Sequence, residues 1–119
     1  MKSSLARSSD EELVTKFRLI AHDLGDAIVD WMPSARMTDR LFAVKRELRE
    51  RGRETRLKLS PLLEDEDRFV RYYAARELFG LFPQKCRSII EANTKGFDAL
   101  VGDASSFLRA IDKGTYKPE

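Results

Sequence analysis

His22, Asp23 and Asp26 are the residues whose types and spacing come closest to those of a reactive site. Imidazole and carboxylate groups one helical turn apart can ligate a metal ion, or the imidazole can act as a general base. A general base also needs a nucleophile or a positioned substrate beside it, and the sequence identifies neither. His22 lies off the apolar stripe of its predicted helix, so we predict a histidine on the surface.

Cys86 is the single cysteine of the chain, so no internal disulfide is expected. The thiol could be a nucleophile, and a place near the start of a predicted helix would lower its pKa. No Cys–His motif surrounds it, however, and it lies three residues before Ile89 on the same helix. That position indicates a buried, small apolar side chain. With one cysteine and one histidine, an ordinary zinc site would need carboxylates or a second chain.

The four consecutive acidic residues at 64–67 could bind a hard cation, but they lack the alternating oxygen ligands and the glycine of an EF-hand loop. We predict instead a solvated turn in which Asp65 or Asp67 caps the next helix. Arg71 is predicted to pair with the carboxylates of this turn and to order the hairpin. The alternative is an exposed binding pair formed with the same residues. No motif predicts an enzyme or a bound cofactor.

The segment 36–58 is strongly basic, with nine cations against four carboxylates and a local net charge of +5. Such a face could meet nucleic acid phosphates, an acidic protein or a membrane surface. The aromatic residues expected of single-strand binders are not interleaved with these cations. A solvated helix face with pairs four residues apart is the other interpretation. The residues of this candidate basic face are Arg40, Lys45, Arg46, Arg49, Arg53 and Arg56.

Three aromatic residues of the predicted fourth helix lie partly off its apolar stripe and could form a protein interface. They are Tyr72, Tyr73 and Phe79. Equally, the C-terminal helix or the first helix could cover them, and Trp31 has the same two interpretations. The concave surface of a helical repeat is its usual binding face. The candidate contact residues are therefore Tyr72, Tyr73, Arg76 and Phe79.

Apolar residues recur every three or four positions along the chain, which predicts helices and no sheet. Ser9 and Glu12 form a capping box at the first helix, and Pro33 ends it. Pro61 kinks or splits the third helix. A linker over 97–102, anchored by Phe97 and Leu100 after Gly96, precedes the last helix. The predicted helices span 10–30, 35–51, 54–63, 68–82, 84–93 and a stretch from Asp103 onward.

The composition is that of one globular domain spanning residues 1–119, of which 1–8 are predicted to be frayed. Hydrophobic residues make up 42% and charged residues 35% of the chain, and the net charge is +2. No apolar run approaches the roughly 20 residues that a membrane helix needs. The first residues lack the apolar core of a signal peptide. We therefore expect a cytoplasmic protein that does not bind membranes.

The segment from the third to the fifth helix resembles a HEAT-like repeat. In that family leucines end one helix, an Asp-rich turn follows, and the next helix opens with Val-Arg and continues with paired alanines and a leucine. The resemblance implies a HEAT/armadillo-like, right-handed α-α superhelix of about five to six helices. The residues that carry it are Leu62, Leu63, Asp65, Asp67, Val70, Arg71, Ala74, Ala75 and Leu78.

The whole chain is also similar to a small bacterial family of uncharacterised domains. The similarity lies in the order of its parts, including a basic helix that ends in LRERG at 48–52 and a C-terminal stretch GDASSFLRAIDKGTYKP at 102–118. Some relatives lie near toxin genes, and this association implies an immunity-type protein.

These observations favour a non-enzymatic helical-repeat protein that binds a protein partner whose identity the sequence does not give. A homodimer would be one form of such pairing. The alternative is a nucleic-acid-binding module that uses the basic face of 36–58.

Overall fold

The structure, a computed structural model, describes residues 4–29, 35–95 and 99–118. Over these ranges the chain is all-α, with six α-helices, two short 3-10 turns and no strand. None of the helices in these ranges has the length and apolar character needed to cross a membrane. The helices are α1 (Asp10–Val29), α2 (Ala35–Arg51), α3 (Arg53–Leu57), α4 (Arg68–Leu78), α5 (Pro83–Glu91) and α6 (Ala99–Lys113).

The predicted capping box begins α1. The backbone N–H of Glu12 donates to Ser9 Oγ at 3.1 Å, and the Ser9 N–H donates to Glu12 Oε1 at 3.3 Å. These bonds satisfy N–H groups that have no partner within the helix. The predicted end of this helix, with Trp31 and Pro33, lies outside the described residues, as do Gly96 and Phe97. The buried face of α1 consists of Leu13, Phe17, Ile20, Ala21 and Leu24.

Residues 4–8 of the segment predicted to be frayed lie in the described part of the chain. Ser4–Arg7 forms a 3-10 turn. Its Leu5 side chain packs against the core, and the Leu5 carbonyl accepts a 3.0 Å hydrogen bond from Arg51 of α2. This long-range bond, which local composition does not indicate, holds the described part of the segment against the domain.

Pro61 splits the predicted third helix. The α-helical part ends at Leu57, and a separate 3-10 turn, Ser60–Glu64, follows. Proline has no N–H to donate and its ring obstructs the preceding helical turn, so the chain tightens to 3-10 geometry. The Leu62 N–H accordingly donates to the Leu59 carbonyl at 2.9 Å. Of the two predicted outcomes at Pro61, kink or split, the structure has the split.

The fourth helix is shorter than predicted: it ends at Leu78, not at residue 82. The amides of Leu81 and Phe82 both donate to the Leu78 carbonyl at 2.9 Å, which closes a turn. Phe82 precedes Pro83, and the residue before proline avoids helical dihedral angles. Phe82 has φ −134° and ψ 67°, and Pro83 opens α5 as the first-turn position allows.

The last helix is longer than predicted, because it begins at Ala99 rather than at Asp103. The linker predicted over 97–102 is therefore wrong for residues 99–102. Leu100, Ala104, Phe107 and Leu108 are all buried and form one continuous helical stripe. That apolar face outweighs the low helix propensity of Gly102.

α1 contacts α2, α4 and α6. α4 also packs against α5 and against the Ser60–Glu64 turn, and α5 packs against α6. The closest approach involves Gly25 of α1 and Phe69 of α4. A Cβ atom added at Gly25 would lie 2.3 Å from Phe69 Cγ and 2.6 Å from Phe69 Cβ. Only glycine therefore permits this contact between α1 and α4.

Candidate functional site

The acidic turn at 64–67 precedes α4 in the chain, and its aspartates contact side chains of α1. Asp67 is the N-cap of α4, and its Oδ1 accepts from the amides of Phe69 at 2.8 Å and Val70 at 3.4 Å. Asp65 accepts a 2.6 Å hydrogen bond from Arg18 Nε on α1. These bonds satisfy the start of α4 and fix the turn against a neighbouring helix.

Arg71 bonds differently from the prediction. Its Nη1 donates to the backbone carbonyls of Asp65 at 2.6 Å and Glu66 at 3.1 Å, and no carboxylate contact is observed for it within the described ranges. The carboxylates of Asp65 and Asp67 contact the α1 side chains of Arg18 and His22, and Asp67 also caps α4. Asp65, Asp67 and Arg71 thus lie together at the hairpin, but Arg71 pairs with the backbone of the turn rather than with its carboxylates.

His22 is exposed, as predicted, and its Nδ1 forms a close contact with the Asp67 carboxylate. Its Nε2 lies 3.5 Å from Asp26. The hydrogen bond to Asp67, followed by the charge of Asp26, raises the pKa of His22. Burial raises the pKa of Asp67, but the hydrogen bonds from His22, Phe69 and Val70 outweigh it, so the net shift is downward. The two side chains therefore form an ion pair between α1 and the start of α4.

The sequence also singled out His22 with Asp23 and Asp26 as candidate metal ligands. The structure brings one ligand atom from each residue within 4.8 Å of the others, and all three are exposed. The contact with Asp67 occupies Nδ1 of the imidazole. Exposed acidic groups of this kind are common on α-helices, and the ion pair alone accounts for the position of His22.

Cys86 is fully buried, as its position on α5 predicts. Burial raises the pKa of the thiol to about 12, against a smaller lowering effect from Lys85. The thiolate is the nucleophilic form of cysteine. The buried side chain is therefore a protonated apolar group at neutral pH, and its place near a helix start does not offset its burial.

The aromatic contact residues predicted on α4 need a correction, because Tyr72 and Phe79 are buried. The Tyr72 hydroxyl donates to the Asp103 carboxylate of α6, and Arg76 Nη1 lies 3.1 Å from the same carboxylate. Arg76 also stacks over Phe107 of α6, with 4.7 Å between the guanidinium carbon and the ring centroid. α6 therefore covers this face, which is one of the two arrangements that the sequence left open.

Tyr73 is half-buried beside Tyr72, with 5.4 Å between ring centroids in an edge-to-face arrangement. Burial raises its pKa to about 12. Tyr72, Arg76 and Phe79 thus belong to the junction of α4 with α6, and Tyr73 packs beside Tyr72. None of the three aromatic residues is exposed.

The basic segment contains a cluster that the sequence analysis did not anticipate, centred on Glu77 of α4. Its side chain is fully excluded from solvent. Arg49 of α2 donates to both carboxylate oxygens, at 2.8 and 3.0 Å. Lys45 Nζ lies 3.7 Å from Oε2, and Arg56 Nε lies 3.6 Å from Oε1. Arg56 is itself buried and donates from Nη2 to the Glu77 carbonyl at 2.9 Å.

A signal for this cluster was present in the sequence. Glu77 is in the apolar stripe of α4, seven residues after Val70, three after Ala74 and one before Leu78. A carboxylate at a core position requires a cationic partner. The neighbouring basic segment could have been identified as its source.

The candidate basic face is therefore not one surface. Lys45, Arg49 and Arg56 converge on Glu77, whereas Arg46 and Arg53 are exposed. Arg40 is on another side of α2, where a groove of about 430 Å³ separates α2 from α1. The groove is lined by Leu5, Lys16, Leu19, Ile20, Asp23, Arg40, Ala43 and Val44.

A cavity of about 390 Å³ opens on the outer face of α2, beside the Glu77 cluster; we call it the α2 pocket. Phe42 forms part of its lining and is 58% exposed. Lys45 Nζ lies 5.2 Å from the Phe42 ring centroid, within the range of a cation–π contact. The pocket is lined by Phe42, Lys45, Arg46, Arg49 and Glu50.

Lys45 has the least usual electrostatic environment of these residues. Burial lowers its pKa, the Glu77 carboxylate acts in the opposite direction, and the charges of Arg76 and Arg49 lower it further. An ammonium group in this position is surrounded by other cations and is only partly compensated by one carboxylate. The pocket therefore combines an exposed aromatic ring with positive charge.

The comparisons with known proteins agree with an all-α domain. A crystal structure of the protein RPA1889 from Rhodopseudomonas palustris CGA009 is similar to this chain, with a TM-score of 0.84 and 29% sequence identity. The match covers 99% of this chain and 100% of that chain. No curated protein matches. Residues 11–112 match the family model described as Domain of unknown function (DUF2019). Since this match spans most of the sequence, the chain belongs to the DUF2019 family.

Proposed function

We propose that this chain is a non-enzymatic protein-interaction module that contacts its partner through the outer face of α2. The observation that carries the proposal is the exposure of Phe42, 58%, beside Arg46 and Arg49. Aromatic and arginine side chains are enriched among the residues that dominate protein interfaces. A surface that contained only solvated lysines and glutamates would not indicate a protein interface.

The geometry of Arg49 supports the same proposal. Its guanidinium is held by two hydrogen bonds to the buried Glu77 carboxylate, which fixes its position before any partner binds. Fixing a long side chain in advance reduces the conformational entropy lost on binding. The non-enzymatic part of the proposal is supported by the bonding of the titratable groups. His22, Asp65 and Asp67 join α1 to α4, and Cys86 is buried.

We further propose that the helices form a short HEAT/armadillo-like superhelix. The packing of α4 against both the Ser60–Glu64 turn and α5 supports a helical hairpin of that type. In this proposal the protein is bacterial and cytoplasmic, and its partner is another protein, such as a toxin in an immunity pair. A second copy of the chain is the other protein partner that the proposal includes.

Nucleic acid binding is the second candidate function, and the exposure of Arg46 and Arg53 favours it. The clustering of Lys45, Arg49 and Arg56 around Glu77 weighs against it. Those three cations contact a buried carboxylate, which leaves a smaller basic surface for phosphates. The α2 pocket also contains the carboxylate of Glu50, which would repel a polyanion.

The test is affinity capture from native cells, with and without nuclease, at low and high salt. We expect one stoichiometric protein that resists both treatments and is lost with Phe42→Ser. Phe82→Ser is the matched control, because Phe82 is an exposed aromatic on the turn before α5. Nucleic acid that is released by salt would overturn the proposal, since phosphate contacts weaken steeply with ionic strength. Light scattering of the purified protein would identify a homodimer.

A further inference from the structure

The α2 pocket holds an ammonium group that the protein itself hydrogen-bonds poorly. The Lys45 side chain is 15% exposed, and its closest carboxylate oxygen, on Glu77, is 3.7 Å away. That distance exceeds a hydrogen bond. Among the described residues, no acceptor within hydrogen-bonding distance of Lys45 is observed. An ammonium has three N–H donors, and covering them without acceptors is unfavourable.

Glu77 cannot relieve this deficit by turning towards Lys45. Both of its carboxylate oxygens accept hydrogen bonds from Arg49, at 2.8 and 3.0 Å. A bidentate pair of this kind fixes the plane of the carboxylate. The side chain is also fully buried, so a change of rotamer would break contacts within the core. The described residues therefore leave the Lys45 ammonium able to donate to a further acceptor.

We propose that the α2 pocket binds a carboxylate side chain from an acidic segment of the protein partner. Lys45 donates to this carboxylate, with Arg46 adding positive charge at the rim, while an apolar side chain of the same segment packs on the Phe42 ring. The inference deepens the proposed function, on which it rests, by giving the chemistry of the partner.

Charge favours a short acidic segment over a phosphate chain. The lining contains Lys45, Arg46 and Arg49 as cations, with Glu50 as the acidic member and the buried Glu77 carboxylate beneath. Arg56 contacts the same buried carboxylate, so the formal excess of positive charge in this group of residues is two. Two carboxylates of a short segment neutralise it, whereas a longer run of phosphates would exceed it and meet the repulsion of Glu50. The exposed phenyl ring of Phe42 adds a preference for an apolar neighbour on the partner.

The experiment is an NMR titration of the 15N-labelled full chain with a blocked tetrapeptide of phenylalanine, two glutamates and leucine. We expect saturable shifts of backbone amides at 42–50. Lys45→Met, which keeps the buried aliphatic stem, should weaken binding about tenfold or more. Glu50→Gln should strengthen it. Arg53→Gln is the control, because Arg53 is an exposed cation of the same segment that does not line the pocket.

The same titration with glutamine in place of both glutamates tests the role of charge. Equal binding of the two peptides, or unchanged binding by Lys45→Met, would overturn the inference. Preferential binding of a single-stranded 12-mer oligonucleotide would overturn it in favour of phosphates. Affinity capture separates the two proposals. A protein partner retained by Lys45→Met would refute the carboxylate site while leaving the interaction module intact, and failure of the wild-type chain to retain a protein partner would refute the module itself.

Discussion

The fully buried carboxylate of Glu77 on α4 receives two hydrogen bonds from the guanidinium of Arg49 on α2, whose own side chain is 37% exposed. Lys45 and Arg56 approach the same carboxylate at 3.7 and 3.6 Å. One buried anion thus holds together cations of α2 and α3, which like-charge repulsion would otherwise drive apart. The basic segment depends on this carboxylate for its arrangement.

Glu77→Gln should therefore destabilise the protein strongly. The substitution keeps the shape of the side chain but leaves buried cations without their counter-charge, at a cost of about 3–5 kcal/mol in the free energy of unfolding. Glu91→Gln is the control, since Glu91 is exposed and its ion pair is long, with 3.9 Å between Glu91 Oε1 and Arg87 Nη1. Its effect should be within about 0.5 kcal/mol. Urea denaturation measures both values, and equal stabilities would contradict the structural role assigned to Glu77.

Gly25→Ala and Gly102→Ala should have opposite effects. At Gly25 the new methyl group overlaps Phe69 as far as its Cβ, which moves only with the backbone. Overpacking of this kind costs about 1–3 kcal/mol, more than the roughly 1 kcal/mol that alanine gains over glycine in a helix. Gly102 in α6 has open space around it, so Gly102→Ala should stabilise. Thermal unfolding tests the pair, and a stabilised Gly25→Ala variant would contradict the close approach.

Local sequence signals were sufficient for much of the fold. α2 has the predicted bounds, 35–51, because its apolar stripe and Gly52 mark the same segment. The Ser9–Glu12 capping box and the N-cap of α4 also follow from neighbouring residues. The start of α6 was missed because Leu100 was interpreted as the anchor of a linker, whereas its burial extends the helix.

The candidate site was less predictable, because its contacts join residues far apart in sequence. Whether Tyr72 is exposed depends on the docking of α6, which no local pattern of α4 specifies. The basic segment appears uniform in sequence, yet Lys45, Arg49 and Arg56 contact Glu77 whereas Arg46 and Arg53 do not line this contact. The α2 pocket lies outside the residues that carried the HEAT-like resemblance, so the resemblance could not indicate it.

The ion pair of His22 and Asp67 should make stability depend on pH. The pKa of His22 is raised above its ordinary value of 6.5, so its contribution is complete below that pH and is lost as pH rises through the folded-state pKa. We expect the wild-type melting temperature to fall over this range and His22→Gln to be flatter. His22 is the single histidine, which simplifies the assignment. Identical pH profiles of the melting temperature for the wild type and His22→Gln would refute the ion pair of His22 and Asp67.

At acidic pH, stability should change with pH in the opposite direction. The pKa of Asp65 is lowered by its hydrogen bond with Arg18, so this contribution is present above the unfolded value and is lost as pH falls through the folded-state pKa. Arg18→Gln should shift the acid unfolding midpoint to higher pH. Lys113→Gln, an exposed residue in the last turn of α6, serves as the control. An unchanged midpoint in Arg18→Gln would contradict the prediction.

Tyr72→Phe should loosen the junction of α4 with α6. The hydroxyl of Tyr72 donates to Asp103, and its removal takes a hydrogen bond from a charged acceptor, worth about 1.5–3 kcal/mol. Tyr73→Phe is the matched control, because no hydrogen bond from the Tyr73 hydroxyl is observed within the described ranges, and its effect should be within about 0.5 kcal/mol. Native-state hydrogen exchange of α6 amides distinguishes local from global loosening. Faster exchange confined to α6 in Tyr72→Phe would show that this bond anchors the helix, whereas unchanged exchange in both variants would show that the apolar contacts of Phe107 and Leu108 hold α6 in place without it.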